Sequence, residues 1–432
     1  MEERDYLNEQ ATEINRIYKN QLLQEPFASH FYSEKTRYRA EGPFQRDFSR
    51  IMYSSSFRRL QGKMQLLGIR EDQFFRNRLT HSLEVSQIAR SIAFELKYDI
   101  SEIYVVEAGA LAHDLGNPPF GHSGETKLNR IFSEIGGFEG NAQTLRILTN
   151  IEKKKPDFRG LNLTYRTLFS VVKYNKKFDK AKRDEKQKFI YDEDFDFLNE
   201  FLAKNDYKVR TLDVQIVDLA DEIAYAAHDL EDGLRLKCFT IDEILHDFYS
   251  AYAEKDLKSY EKLKEIVDAC RDSRDYANID SSDYTKLFRQ ELTSSLINLL
   301  IHDIGLIEVD QEFINATGTM WPRELGFVNY SNLAEGLKKI TFKCINHNDE
   351  VYHYEQQGNE IIDFLVDTYR KNRMYLPPEY RASYVIKEME ERQREKLINE
   401  EQLQERLICD YIAGMMDSYA ITTYKKFTKK ES

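Results

Sequence analysis

The run Leu111-Ala112-His113-Asp114-Leu115-Gly116-Asn117-Pro118-Pro119-Phe120-Gly121-His122-Ser123-Gly124-Glu125 organises the 432-residue chain. Apolar residues from Ile103 to Ala112 read as a helix, with Ser101 as its N-cap and Glu102 in its first turn. The helix stops at Gly116, because the two prolines behind it cannot continue one. At that stop an imidazole and a carboxylate stand side by side, His113 and Asp114. A loop held by glycine and proline then presents His122 and Glu125. Adjacent His and Asp at a helix end is a coordination pattern, and a rigid loop with a further His and Glu is an acid–base pattern. A solvated helix end followed by a plain turn accounts for the same residues, so partners elsewhere in the chain must decide.

Composition narrows the class. With 41% hydrophobic and 31% charged residues, the chain reads as a globular protein of one large domain or two. No apolar run reaches the length of a membrane span, and the polar, acidic start MEERDYLNEQ is unlike a signal peptide. Both features suit a cytoplasmic protein. So do four scattered cysteines, at 238, 270, 344 and 409, which fit neither a zinc ribbon nor a disulfide framework. Eight prolines and eighteen glycines in so long a chain favour helix over sheet. The net charge of −12 argues against broad nucleic-acid binding as the main activity. A locally basic pocket for an anionic small molecule remains compatible with it.

Residues 1–45 are polar and read as a helix and an extended arm. In the segment 47–61, Ile51, Phe57 and Leu60 can share a buried face, with Arg50, Arg58, Arg59 and Gln61 at its edge. Those groups suit either a grip on phosphate and sugar or a solvated basic face. After Phe74-Phe75-Arg76-Asn77, the residues Val85, Ile88, Ala89, Ile92 and Leu96 mark one core face of a helix. His81, one turn before Val85, points inward with that stripe, and Arg78 is a turn further back. A lone inward histidine is often just a satisfied core residue. An inward arginine beside it needs an anion.

Asn141 and Gln143 start a helix that can face the central loop, and Leu161 to Leu168, then Val171 to Tyr174, read as a turn into a short apolar helix that ends on Lys173. The stretch 175–210 is strongly charged and reads as a solvent-exposed insertion. From Asp213 to Leu236 a helix has a broad apolar side, while Asp221, Tyr225 and Asp229 step by four along the other. An acidic row is usually solvated; in a helix otherwise made for burial it also suits a pocket wall. His246, His302, His347 and His353 read as structural. Residues 385–407 read as a charged helix and Cys409 to Phe427 as a more apolar one. The expected organisation is mostly helical, with an arm over 1–45, a core over 46–236 that carries these groups and a helical region over 237–432 packed on it.

His81, His113, Asp114 and Asp221 together form a mixed nitrogen and oxygen ligand set. Mn²⁺, Fe²⁺, Co²⁺, Ni²⁺ and Zn²⁺ suit it, with Mg²⁺ at lower affinity, whereas Ca²⁺ prefers oxygen alone. Four protein ligands on an octahedral ion leave two positions for water and substrate. Such an ion can orient a phosphoryl oxygen, while Arg78, Lys173 and the arginines near 58 balance further phosphate charge. His122 suits proton transfer near neutral pH, and Glu125, three residues on, can fix its tautomer. Hydrolysis of a phosphate ester or anhydride uses all of these groups.

The same residues carry a resemblance. The runs Arg58-Arg59-Leu60-Gln61-Gly62-Lys63, Arg78-Leu79-Thr80-His81-Ser82-Leu83-Glu84-Val85, His113 to His122, Glu139-Gly140-Asn141-Ala142-Gln143 and Leu219-Ala220-Asp221-Glu222-Ile223-Ala224-Tyr225 resemble the HD-domain deoxynucleotide triphosphohydrolases, the dGTPase family. So does Asp410 to Ala420, a segment that generic HD phosphohydrolases lack. The resemblance implies an all-α HD-domain metal-dependent phosphohydrolase core with additional C-terminal helices. It implies His81, His113, Asp114 and Asp221 as metal ligands, with Mn²⁺ or Mg²⁺ the leading candidates. It implies His122 with Glu125 as the catalytic pair at the α-phosphate, and Arg78, Asn117 and Lys173 as phosphate contacts. Gln61 and Asp229 would read the sugar 3′-hydroxyl, and Tyr225 would lie against the sugar at C2′. The implied products are a deoxynucleoside and tripolyphosphate, and the implied assembly is a homo-oligomer, often a hexamer. Glu222 and Met416 depart from residues commoner in the family, where Asp and Thr stand; neither is an implied ligand.

Three activities fit this reading. The first is hydrolysis of dGTP. The second is a broad dNTP triphosphohydrolase activated by a nucleotide at a separate site. The third, from another class, is a regulator that binds nucleotide or single-stranded DNA with weak turnover, against which the presence of both His122 and Glu125 counts.

Overall fold

The computed structural model describes residues 5–33, 42–65, 76–156, 158–183, 185, 187–272, 279–319, 321–346, 349–388 and 399–428. Phe74, Phe75, His347, part of the expected arm over 1–45 and part of the expected helix over 385–407 lie outside these. The main helices are α1 (Tyr6–Ile14), α2 (Gly42–Met52), α3 (Arg78–Glu95), α4 (Ile100–Ala112), α5 (Gly121–Ile131), α6 (Gly140–Arg146), α7 (Asp192–Asn205), α8 (Leu212–Arg235), α9 (Ile241–Tyr252), α10 (Leu257–Arg271) and α11 (Ser281–His302). After a two-stranded antiparallel sheet, β1 (Ile304–Glu308) and β2 (Arg323–Phe327), come α12 (Ser331–Asn346), α13 (Asp349–Lys371), α14 (Glu400–Ala413) and α15 (Asp417–Thr428). The architecture is all-α apart from that small hairpin.

At the centre α3 packs on α4, and α8 lies across both, flanked by α2, α11 and α12. The stripe Val85, Ile88, Ala89 and Ile92 of α3 is fully buried there, as the three- and four-residue spacing requires. A buried ion cluster sets how the central helices start. Arg166, 1% exposed, donates to Asp213 in the first turn of α8 at 2.8 Å and to Glu102 in the first turn of α4 at 2.9 Å. Removing any one partner would strand a buried charge. The two helices that carry His113, Asp114 and Asp221 are thereby tied together.

A second hydrophobic cluster joins Phe120, Leu128, Phe132 and Phe138 to Ile361, Ile362, Leu365 and Tyr369 of α13 and to Ile408, Ile412 and Ala420 of α14 and α15. The C-terminal helices therefore pack on α5, the helix just after the central loop.

Several local expectations need correction. The N-cap of α4 is Asp99, not Ser101: the Glu102 carboxylate reaches back to accept from Asp99 N–H at 3.1 Å. Residues of the expected arm are core, since Leu7, Ile14 and Phe27 are fully buried with the main cluster. The stretch 175–210 is solvent-exposed only in part: the described residues of 176–185 are largely exposed, whereas the chain from Phe189 on joins the core. Phe189, Ile190, Leu198 and Leu202 are buried, and α7 closes its apolar face on the core, burying Asp194 with it while Asp192, Glu193 and Asp196 stay exposed. The expected helix from Cys409 to Phe427 is two helices, broken at Gly414-Met415-Met416.

Candidate active site

Three elements bring the ligand set together. α3 supplies His81 near its N-terminus, the end of α4 supplies His113 and Asp114, and the middle of α8 supplies Asp221. One donor atom each from His81, His113 and Asp114 lie within 4.8 Å of one another. Asp221 Oδ1 stands 3.1 Å from His81 Nε2 and 3.3 Å from His113 Nε2. All four side chains are well shielded, with His81 completely buried.

Whether these groups suit a cation is decided at His113. Its Nδ1 lies 2.6 Å from the Ala110 carbonyl, which can only accept, so Nδ1 carries the proton. That leaves Nε2 facing Asp114 Oδ1 at 3.5 Å and Asp221 Oδ1 at 3.3 Å, buried and without a hydrogen bond of its own. Burial works against charge on the His113 ring, yet the Asp114 and Asp221 carboxylates outweigh it and raise its pKa. A lone pair and two carboxylates converging in a buried space call for positive charge. The mixed nitrogen and oxygen set fits a borderline divalent metal.

The surrounding groups orient these expected ligands. Arg78 Nη1 donates to Asp114 Oδ2 at 2.6 Å. Burial alone would raise the Asp114 pKa, but Arg78 and His113 bring it down to about 2. Asn117 Nδ2 donates to the other Asp114 oxygen. Lys173 Nζ lies 2.8 Å from Asp218 and 3.2 Å from Asp221. The Asp221 carboxyl is held well below its ordinary range by Lys173 and His113 in spite of burial. Asn117 and Lys173, expected at phosphates, thus spend donors on two of the expected ligands. Arg78 keeps a buried Nε with no partner.

The expected catalytic pair sits at the start of α5. His122 Nδ1 is 3.0 Å from Glu125 Oε2, and the ring is half exposed. Glu125 Oε1 accepts from Gly140 N–H at 2.9 Å. Burial favours a neutral Glu125, but His122, Lys188 and the Gly140 amide overcome it and lower its pKa to about 2. Glu125 is therefore an anion across the neutral range, fixed at both oxygens, and it orients the imidazole.

The polar row on α8 is a wall rather than a solvated face. The Tyr225 ring lies 5.1 Å from the His81 ring, and Asp229 is buried with an unpartnered Oδ1. Burial, with Asp232 and Asp221 nearby, raises the Asp229 pKa well above the ordinary carboxyl value. Gln61 is exposed on the turn Leu60–Gly62, and among the described residues no hydrogen bond ties it to this cluster. Two neighbours were missed. Lys63 is buried and donates to the backbone carbonyls of Asn117 and Ala413. Gln65 is buried with an unpartnered Oε1, next to the bridge that pairs Met64 with Asn77. A turn followed by a buried extended segment separates Gln61 from Gln65, and counting residues cannot see that. Lys338 on α12 was also missed; its Nζ lies over the Tyr225 ring at 4.8 Å.

Comparison with known proteins agrees with this layout. A family model of the HD domain matches residues 78–226, and one of a phosphohydrolase-associated domain matches residues 329–426. The chain is similar to deoxyguanosinetriphosphate triphosphohydrolase-like protein 2 of Vibrio cholerae, with 44% identity over 395 residues, 90% of this chain and 89% of that protein. It is also similar to the deoxyguanosinetriphosphate triphosphohydrolase-like proteins of Bartonella quintana and Wolinella succinogenes. The first is 33% identical, covering 92% of this chain and 91% of the relative; the second is 34% identical, covering 89% and 94%. With identity of this level over nearly the whole length, and with the HD-type ligands converging as described, the chain belongs to the HD-domain family of deoxyguanosinetriphosphate triphosphohydrolase-like proteins.

Proposed function

We propose that this protein is a divalent-metal-dependent triphosphohydrolase of deoxynucleoside triphosphates, with dGTP as the leading substrate and deoxynucleoside and tripolyphosphate as products. The observation that carries the reading is the pairing of two devices. One is a buried His–His–Asp–Asp cluster with a bare His113 Nε2; the other is a half-exposed His122 held by an anionic Glu125. The names of the relatives support the choice of dGTP.

His81, His113, Asp114 and Asp221 would hold the ion, with Mn²⁺ or Mg²⁺ favoured by the phosphate chemistry. When bound, it would offset phosphate charge and polarise the α-phosphoryl group. Arg78, through its unpartnered Nε, supplies further positive charge to the phosphates. Asp229 has an oxygen free to accept from the sugar 3′-hydroxyl, and Tyr225 forms the adjoining wall. In the reaction a water oxygen bonds to the α-phosphorus and the bond from that phosphorus to O5′ breaks. His122 gives its proton to O5′, and a proton from the water restores it through solvent. Glu125 keeps the ring oriented throughout. Tripolyphosphate leaves with the water oxygen.

Incubation of the purified protein with Mn²⁺ and each of the four dNTPs, singly and in pairs, tests this. Deoxyguanosine and tripolyphosphate from dGTP are the expected products. Formation of dGMP and pyrophosphate would reject the assigned bond, and stimulation of one dNTP by another would favour the broad, nucleotide-activated enzyme. His122→Ala should lower kcat by about 10²- to 10⁴-fold and still bind Mn²⁺.

A further inference from the structure

The loop that carries His122 is held in a conformation that its sequence disfavours. Phe120 is left-handed, at φ 62° and ψ 26°, and Gly121 follows at φ 59°. Glycine takes that conformation freely, whereas a phenylalanine does so only where surrounding contacts over-determine it. Those contacts come from about 300 residues away along the chain. The Phe120 N–H donates to Asp417 Oδ1 at 3.2 Å. The other oxygen of Asp417 accepts from Met64 N–H at 3.2 Å and from the Tyr354 hydroxyl at 3.0 Å. Asp417 is completely buried at the first position of α15.

The Phe120 ring, 1% exposed, lies where α13 carries Gly358; a Cβ there would run into it. Lys63 ties the Asn117 carbonyl to that of Ala413, so both ends of the loop 117–120 are fastened to the segment 413–417. One turn into α5, Ser123 Oγ accepts from Asn359 Nδ2 at 2.9 Å. The backbone at 120 and 121 sets the direction in which α5 leaves the loop, and His122 and Glu125 stand in its first turn.

We propose that Asp417 is a positioning residue for His122: from the last helix, its carboxylate holds Phe120 left-handed and so fixes where the His122–Glu125 pair stands. The role gives the C-terminal region a part in the chemistry without touching substrate. As a statement about catalysis it rests on His122 being the proton donor; as a statement about the loop it does not.

The test uses full-length wild type, Asp417→Ala and Asp417→Asn. Steady-state kinetics with dGTP, Mn²⁺ titration and amide hydrogen exchange over 117–125 are read for each. Asp417→Ala should lose about a hundredfold in kcat, with KM and Mn²⁺ affinity at wild-type values. Asp417→Asn keeps one acceptor oxygen and should lose less. Exchange over 117–125 should be slow in the wild type and faster in both variants, in the same order, with the α3, α4 and α8 amides unchanged. A wild-type kcat in Asp417→Ala, or a loss that falls on KM or Mn²⁺ affinity, would overturn the role. Should the alanine variant not fold, Asp417→Asn decides it: wild-type kcat with unaltered exchange sinks the inference. If the wild type turns over no dNTP, the hydrolase reading fails. The exchange comparison then still shows whether Asp417 holds the loop.

Discussion

At Asp194 a single side chain makes stability depend on pH. The residue sits in the first turn of α7, 2% exposed, with one oxygen accepting from Thr149 Oγ1 at 2.7 Å and the other buried without a partner. Burial raises its pKa to about 6, against the pull of Thr149 and Arg146. The folded protein therefore holds this proton more tightly than the unfolded chain does. The resulting stability is fully present below the unfolded value near 4 and is lost as pH rises through about 6. Asp194→Asn should stabilise the protein above pH 6, by up to about 3 kcal/mol, and the gain should vanish below pH 4. Urea unfolding at pH 4 and pH 8 checks this; an equal effect at both would show that charge at 194 is not the cause. The same physics, with opposite sign, acts on Glu125, where partners for the anion outweigh burial.

Among the elements, the end of α4 shows how local sequence and neighbouring chain share the work. Gly116 N–H donates to Thr144 Oγ1 at 2.9 Å, and that hydroxyl donates to the His113 carbonyl at 3.0 Å. This docks the chain after His113 and Asp114 onto α6. A Cβ at 116 would enter the space of the Gly140 carbonyl and the Thr144 amide, both backbone atoms that cannot swing aside. Gly116→Ala should thus push the end of α4 off α6, cost about 1–3 kcal/mol in stability and weaken Mn²⁺ binding. Urea unfolding with Mn²⁺ titration measures both. Wild-type Mn²⁺ affinity in this variant would mean that α6 does not set the ligand geometry. The prolines behind Gly116 explain why the helix stops; only the contact with α6 explains why the residue at the stop is glycine.

On the scale of the whole molecule, folding forces like-charged groups together. Asp114 and Asp221 converge on His81 and His113 because α3, α4 and α8 pack through their apolar stripes, and the polar groups are carried along. Arg78, Asn117 and Lys173 relieve part of that charge. An ion that binds the folded protein and not the unfolded chain should relieve the rest. At a free Mn²⁺ concentration a hundred times its Kd, stabilisation should reach about 2.7 kcal/mol, and removal by EDTA should reverse it. His81→Ala should lose this response. A melting temperature indifferent to Mn²⁺ in the wild type would count against the cluster as a metal centre. Among the described residues, no helix is long and apolar enough to cross a membrane.

The amino-acid sequence by itself determined what depends on near neighbours and on periodicity. It marked the helix that starts near Arg78, the helix it placed from Asp213 to Leu236, the inward facing of His81 and Arg78, the end of a helix before Pro118, set at Gly116 and found at Ala112, and the three-residue step from His122 to Glu125. Each follows from helix geometry or from the chemistry of glycine and proline. It did not reach what depends on distant chain. Gln61 and Gln65 look alike in a string of letters, and only the turn at Leu60–Gly62 exposes one while the following segment buries the other. The charged stretch 175–210 looked solvated because its buried face of Phe189, Ile190, Leu198 and Leu202 is discontinuous in sequence. Lys63 and Asp417 acquire their roles through partners hundreds of residues away. Tertiary packing decided these, because burial and hydrogen bonding are properties of what a side chain meets, and those meetings are made by the whole fold.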